Sequence, residues 1–175
     1  MKITLVRHTT LDIAEGICYG QADVLPSATF DTESKTAKKN LSNYTFDNVY
    51  SSPLKRCTKL AEACGFENLK IENRIIEIDF GNWELIPWND IHGEYAQKWM
   101  DDYLNFPAPN GESLQDMIKR IEDFLFDLRQ SNYNHVLCFT HSGPIRVFEH
   151  LINQIPIDKL FDFEVEYAGL YHYSL

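Results

Sequence analysis

Ile3-Thr4-Leu5-Val6-Arg7-His8-Thr9-Thr10 decides how the chain is read. A short apolar run rich in β-branched residues ends abruptly in a cation, an imidazole and two hydroxyls. That pattern predicts a buried strand whose last residues emerge at its carboxyl end. In open α/β sheets, the carboxyl ends of parallel strands are where chemistry is placed. An Arg-His pair also occurs wherever a strand simply reaches water, so the stretch acquires meaning only if other strand ends bring matching groups to the same place.

A second stretch repeats the grammar. His135-Val136-Leu137-Cys138-Phe139 is an apolar strand, Thr140-His141-Ser142-Gly143-Pro144 follows it, and Ile145, Phe148, Leu151 and Ile152 give the next helix its buried face. His141 alone would read as a satisfied structural histidine; its position at a strand end is what singles it out. Between the two lies Asp47-Asn48-Val49-Tyr50-Ser51, a short strand. Ser52-Pro53 then reads as an N-cap with proline at the first helical position, followed by the stripe Leu54, Cys57, Leu60, Ala61 and Cys64, with Gly65 as the stop. Lys55 and Arg56 fall in the first turn, where the helix dipole disfavours cations, so a bound anion is one explanation and an ordinary surface arginine the other.

The remaining segments are less regular. Leu11–Pro26 is a loop whose Gly16 and Gly20 could bring backbone N–H groups to an anion, or merely connect. A helix is expected from Ser27, with Phe30, Ala37 and Leu41 on its thin apolar face. Lys70–Ile78 is expected to be extended, and Glu77, flanked by Ile76 and Ile78, either points to water or is a partly desolvated carboxyl suited to general acid work. Trp83, Trp88, Tyr95 and Trp99 belong to short helices over the core. Ser113 with Asp116 predicts a capping box, and Leu114, Met117, Ile118, Ile121, Phe124, Leu125 and Leu128 a helix with a core-facing stripe. Phe161–Tyr173 is expected to add a pair of edge strands.

Composition bounds the function. The 175 residues are one domain's worth, so residues 1–175 are expected to form a single domain. A net charge of −10 argues against sequence-independent nucleic-acid binding and against an anionic membrane surface, while leaving room for a small anionic substrate where cations converge. Cys18, Cys57, Cys64 and Cys138 have no metal-like spacing and read as buried reduced thiols of a cytoplasmic protein. No long apolar segment precedes Arg7, so neither a signal peptide nor a membrane span is expected.

Three strand-to-helix junctions thus deliver Arg7 and His8, Arg56, and His141 to one crevice. Two arginines, two imidazoles and a carboxyl, without metal-ligand spacing, suit phosphoryl transfer, which depends on positioning and on neutralising charge on the phosphoryl oxygens. His92, His135, His150 and His172 are given no role.

The set Arg7-His8, Arg56 within Ser51–Arg56, Glu77 within Glu77–Gly81, and Thr140-His141-Ser142-Gly143 resembles the signature of the histidine phosphatase (phosphoglycerate mutase-like) superfamily, in the expected order over nearly the whole chain. The resemblance implies a three-layer α/β/α, doubly wound and mostly parallel sheet flanked by helices. It also implies that His8 is the nucleophile of a phosphohistidine mechanism, with Arg7, Arg56 and His141 holding the phosphoryl group. Glu77 would act as acid and then base, and Gln21 and Ser142 would give further phosphate contacts. His8 should be neutral, and His141 cationic or at least a donor. Neither metal nor cofactor is expected, and the partner is a small phosphorylated substrate, with the chain a monomer or homodimer.

Gly16–Asp23 and Phe80–Glu84 look like the α-ribazole phosphatase branch. Thr9 stands where a glycine is usual after the histidine, Leu85 where one often follows Trp-Glu, and the loop after Thr10 lacks a frequent asparagine. A broad-specificity phosphatase, a phosphoglycerate mutase and a non-catalytic phosphate-ester binding domain are the alternatives; the short chain argues against the mutase.

Overall fold

A computed structural model describes all 175 residues. The strands are β1 (Lys2–Arg7), β2 (Asn48–Ser51), β3 (Lys70–Ile71), β4 (His135–Thr140) and β5 (Leu170–Ser174). They form one sheet in the order β3-β2-β4-β1-β5, parallel throughout except for β5, which runs antiparallel to β1. The helices are α1 (Phe30–Leu41), α2 (Lys55–Cys64), α3 (Glu94–Asp101), α4 (Leu114–Gln130) and α5 (Ser142–Asn153). This is the three-layer, mostly parallel α/β arrangement expected.

Side-chain alternation along the strands builds the layers. Ile3 and Leu5 of β1 and Val136 and Cys138 of β4 pack with α4 and α5. Val6, Leu137 and Phe139 face the opposite way, into α1 and α2. A third apolar cluster, around Cys18, Trp83, Ile91, Ala96 and Ala108, sits under the tryptophan-rich segment and α3. All four cysteines are buried and unpaired. Burial pushes the Cys18 and Cys57 thiols up to about 12, so they stay protonated. No helix is long and apolar enough to cross a membrane.

Two elements follow the sequence closely because their signals are local. In α4 the Ser113 hydroxyl accepts from the Asp116 N–H, while the Asp116 carboxylate accepts from the Ser113 N–H, a complete capping box. All seven stripe residues of α4 are buried. Helix α2 ends at Gly65, whose φ of 97° is the left-handed cap.

Four expectations are corrected. Ser52 does not cap α2: Leu54 occupies the cap position, and Ser52 instead reaches His141. In α5 the buried residues are Pro144, Ile145, Val147 and Phe148, while Leu151 and Ile152 pack against the same core but are only half-buried. Lys70–Ile78 is a strand only over Lys70–Ile71. It then turns through a 3-10 helix at Asn73–Ile75, leaving Ile71 exposed and Ile75 fully buried. The tail contributes one edge strand rather than two, since Ile157–Asp162 is a 3-10 helix and only β5 pairs.

Candidate active site

Register brings the site together. Arg7 at the end of β1 lies level with Thr140 of β4, and Ser51 of β2 level with Phe139. One step further, the His8 N–H donates to the Thr140 carbonyl (3.0 Å) and the Ser52 N–H to the Phe139 carbonyl (2.9 Å). His8, Ser52 and His141 therefore stand side by side where three parallel strands end, and the His8 and His141 rings are 5.2 Å apart.

His8 is almost completely buried. Its Nδ1 lies 2.8 Å from the Thr9 carbonyl oxygen, which can only accept, so Nδ1 carries the proton. Burial, then the Arg56 charge, hold the imidazole well below its ordinary pKa. The ring is thus neutral, with its lone pair on Nε2. Thr9 is itself fully buried and its hydroxyl has no partner, so the extra side chain at this position is accommodated without a polar contact of its own.

Arg56 has no exposed surface. Its Nη1 donates to the Ala22 carbonyl (2.7 Å), its Nη2 to that of Gly20, and its Nε to His141 Nδ1 (3.1 Å). One N–H on each terminal nitrogen remains for another acceptor. Because Arg Nε is always a donor, His141 Nδ1 must accept, and its proton sits on Nε2, which donates to Ser52 Oγ at 2.7 Å. Burial, then Arg56, lower the His141 pKa far below 6.5. Of the two states expected from sequence, cationic or at least a donor, the geometry fits the second: a neutral donor.

Arg7 is half-buried and donates to the Val165 carbonyl, while its Nε is buried without a partner. The Tyr167 ring lies flat against its guanidinium, 3.6 Å from Cζ to the ring centre. The Tyr167 hydroxyl meets that of Tyr19 at 3.2 Å across the mouth. Burial and this contact push Tyr19 up to about 12, so it remains a neutral phenol.

Glu77 is buried, not pointed at water. Its Oε2 accepts from the Gly143 N–H (3.2 Å) and, weakly, from the Ser142 hydroxyl (3.4 Å) at the start of α5. Arg120 fixes the backbone that carries it, donating to the carbonyls of Arg74 (2.7 Å) and Glu77 (3.1 Å) while paired with Glu112 at 2.9 Å.

Gln21 and Ser142 are brought to this corner too, but Gln21 directs its amide N–H to the Glu77 carbonyl at 3.1 Å. The loop N–H groups are not open to an anion either. Those of Gly20, Gln21 and Ala22 converge on the Glu84 carboxylate at 2.9–3.0 Å, which also takes the Phe80 N–H. Asp23, paired with Lys55 at 2.8 Å and accepting the Lys55 N–H, is the anion at the start of α2.

Sequence reading gave no site role to Glu84, Arg120 or Tyr167, and gave Ser52 the wrong one. Glu84 lies within Phe80–Glu84 and Ser52 within Ser51–Arg56, beside the expected site residues, which was the signal available; Arg120 and Tyr167 reach the site by long-range packing.

Fold and site together define a hydrolase of phosphoric monoesters, built on the carboxyl edge of an open α/β sheet. The chain belongs to the histidine phosphatase superfamily (branch 1), whose family model matches residues 3–175. It is 29% identical to phosphoserine phosphatase 1 of Hydrogenobacter thermophilus, over 97% of this chain and 84% of that protein. It is 28% identical to the adenosylcobalamin/alpha-ribazole phosphatase of Salmonella typhimurium, over 95% of this chain and 86% of that one. The crystal structure of the alpha-ribazole phosphatase from Shigella flexneri superposes with a TM-score of 0.90 at 23% identity, covering 98% of this chain and 89% of that one.

Proposed function

We propose that the chain hydrolyses a small phosphate monoester through a phosphohistidine on His8, without a metal ion. The observation that carries this reading is the single tautomer of His8: Nδ1–H held on the Thr9 carbonyl, the ring neutral, the lone pair on Nε2. Nε2 attacks phosphorus in line with the ester oxygen as the P–O bond breaks, and Glu77, entering protonated, gives its proton to the departing alcohol oxygen. Water then attacks the phosphohistidine. Glu77 takes its proton, phosphate leaves, and His8 regains its lone pair. Arg7 and the two remaining N–H groups of Arg56 neutralise the phosphoryl oxygens, and His141 Nε2–H turns from Ser52 to donate to them. Gln21 and Ser142, bonded to Glu77, serve as positioning residues in this scheme rather than as phosphate contacts.

Between phosphatase and mutase, the phosphatase is favoured, and α-ribazole 5′-phosphate is the substrate we propose. The support is the coupling of the two branch-like segments, since Glu84 of Phe80–Glu84 organises Gly20–Ala22 of the other. Phosphoserine, acted on by a relative of similar identity by its name, is the competing ester. p-Nitrophenyl phosphate with excess chelator tests the class: turnover with release of free phosphate, inhibition by vanadate, and loss of at least 10³-fold in His8→Ala are expected, on the scale of removing a covalent nucleophile. Activity that vanishes with the chelator, or survives in His8→Ala, sinks the mechanism. Comparing α-ribazole 5′-phosphate with phosphoserine and phosphoglycerate then decides the ester.

A further inference from the structure

Beside Glu77, the mouth of the site deepens into an aromatic chamber. The opening, of about 340 Å³, is lined by Glu77, Tyr19 and Ser142 among others. It shares Ile78, Phe80, Trp88, Gly143, Arg146 and Phe161 with an inner cavity of about 210 Å³ that continues to Trp99 and Leu160. An apolar cavity of about 150 Å³ is already large enough to take up benzene. The inner cavity is larger and its walls are flat: Phe80 meets Trp88 edge to face at 5.3 Å, and Trp88 stacks on Trp99 at 5.9 Å.

One donor at the opening is free for a ligand. Arg146, half-buried, spends only its Nε, on the Phe163 carbonyl at 3.1 Å, and its terminal nitrogens have no partner in the chain. A guanidinium beside apolar walls offers its remaining N–H groups to an acceptor.

We propose that this chamber is the leaving-group subsite, and that it selects monoesters whose alcohol carries one flat apolar ring. The inference rests on the phosphomonoesterase reading of the site, not on the identity of any particular ester. With Glu77 at the junction, an ester oxygen placed for protonation directs the rest of its alcohol past Arg146 and into the aromatic walls. Arg146 holds an acceptor on the linker, and the ring lies against Trp88 and Trp99. A short zwitterionic alcohol such as serine would leave the inner cavity unfilled.

The test uses two probes, O-phosphoserine and 2-naphthylmethyl phosphate. In the wild type the ring ester should exceed phosphoserine in kcat/KM by at least tenfold. Trp88→Ala should collapse the ratio of ring ester to phosphoserine about tenfold. Fluorescence quenching of the chamber tryptophans by the free ring alcohol reads binding without turnover, and melting curves show whether each variant is folded. Equal or better use of phosphoserine, or a Trp88→Ala loss that is the same for every ester, overturns the proposal. Hydrolysis of neither ester, with the ring alcohol still quenching, overturns the phosphatase reading and leaves the subsite standing.

Discussion

Gly143 shows how closely the site is built around single atoms. A methyl group there would lie 2.1 Å from Glu77 Oε1 and 3.3 Å from Met117 Cε. Alanine suits a helix better than glycine by up to about 1 kcal/mol, so Gly143→Ala should melt within a few degrees of the wild type while pushing the Glu77 carboxyl out of place. A fall in kcat of about 10²-fold is expected, the lower end of what a general acid contributes. Full kcat in Gly143→Ala would mean that Glu77 is not the acid. At the same scale, Leu85 has a φ of 66°, a left-handed conformation that explains why glycine is frequent where this chain has leucine. The leucine is more than half exposed, so the departure costs backbone strain and not site chemistry. Arg7, His8 and His141 were legible in the sequence because each ends a strongly apolar strand. The neutral state of His141 was not, since it depends on Arg56 arriving from another strand-helix junction to occupy Nδ1.

At the scale of elements, the loop before α1 is organised by a carboxylate. Glu84 accepts four backbone N–H groups, and the loop carbonyls of Gly20 and Ala22 in turn hold Arg56. Glu84→Ala would strand those donors and free the loop. A loss of about 2–4 kcal/mol of stability is expected, from the cost of unsatisfied donors. Because Arg56 loses its guides, KM should rise for every phosphate ester; denaturant titration and initial-rate kinetics check both. An unchanged KM would contradict the coupling of loop and arginine. The contrast between α4 and the segment after β3 shows what sequence can say about elements. A capping box and an unbroken helical stripe are local, and α4 follows them. Lys70–Ile78 carries strand-like alternation, yet Arg120 and Glu112 hold its second half and Asp79 to the start of α4, and that clamp lies 33–46 residues away in the chain. Of the two readings the alternation allowed for Glu77, the solvent-facing one fails for this reason and the desolvated one holds: its environment is made by α4 and α5, not by its own neighbours.

For the whole molecule, burial holds two histidines, His8 and His141 in the site, well below the ordinary imidazole pKa. The half-buried His135 and the exposed His172, which meet the Thr4 hydroxyl at 2.8 and 2.9 Å, are lowered by partial desolvation and add in the same direction. A folded-state pKa below the unfolded value of about 6.5 means that the unfolded chain binds more protons once the pH drops through that value. Stability should therefore hold above about pH 7 and fall as the pH is lowered from 7.5 to 5.5, read as a drop in Tm. A flat or rising Tm over that window would contradict the neutral burial of His8 and His141. The doubly wound architecture was legible because both strand-and-imidazole stretches announce it; the single edge strand was not, since an alternating tail says nothing of whether it turns back on itself. The central claim is chemical and can be met directly. Protein mixed with a labelled phosphate monoester and quenched in alkali should carry one acid-labile, alkali-stable phosphoryl group on the peptide containing His8. More should be trapped in Glu77→Gln when the ester has a leaving group that needs no acid, and none in His8→Ala. Turnover with no trapped phosphoryl group, or label on His8→Ala, would contradict it.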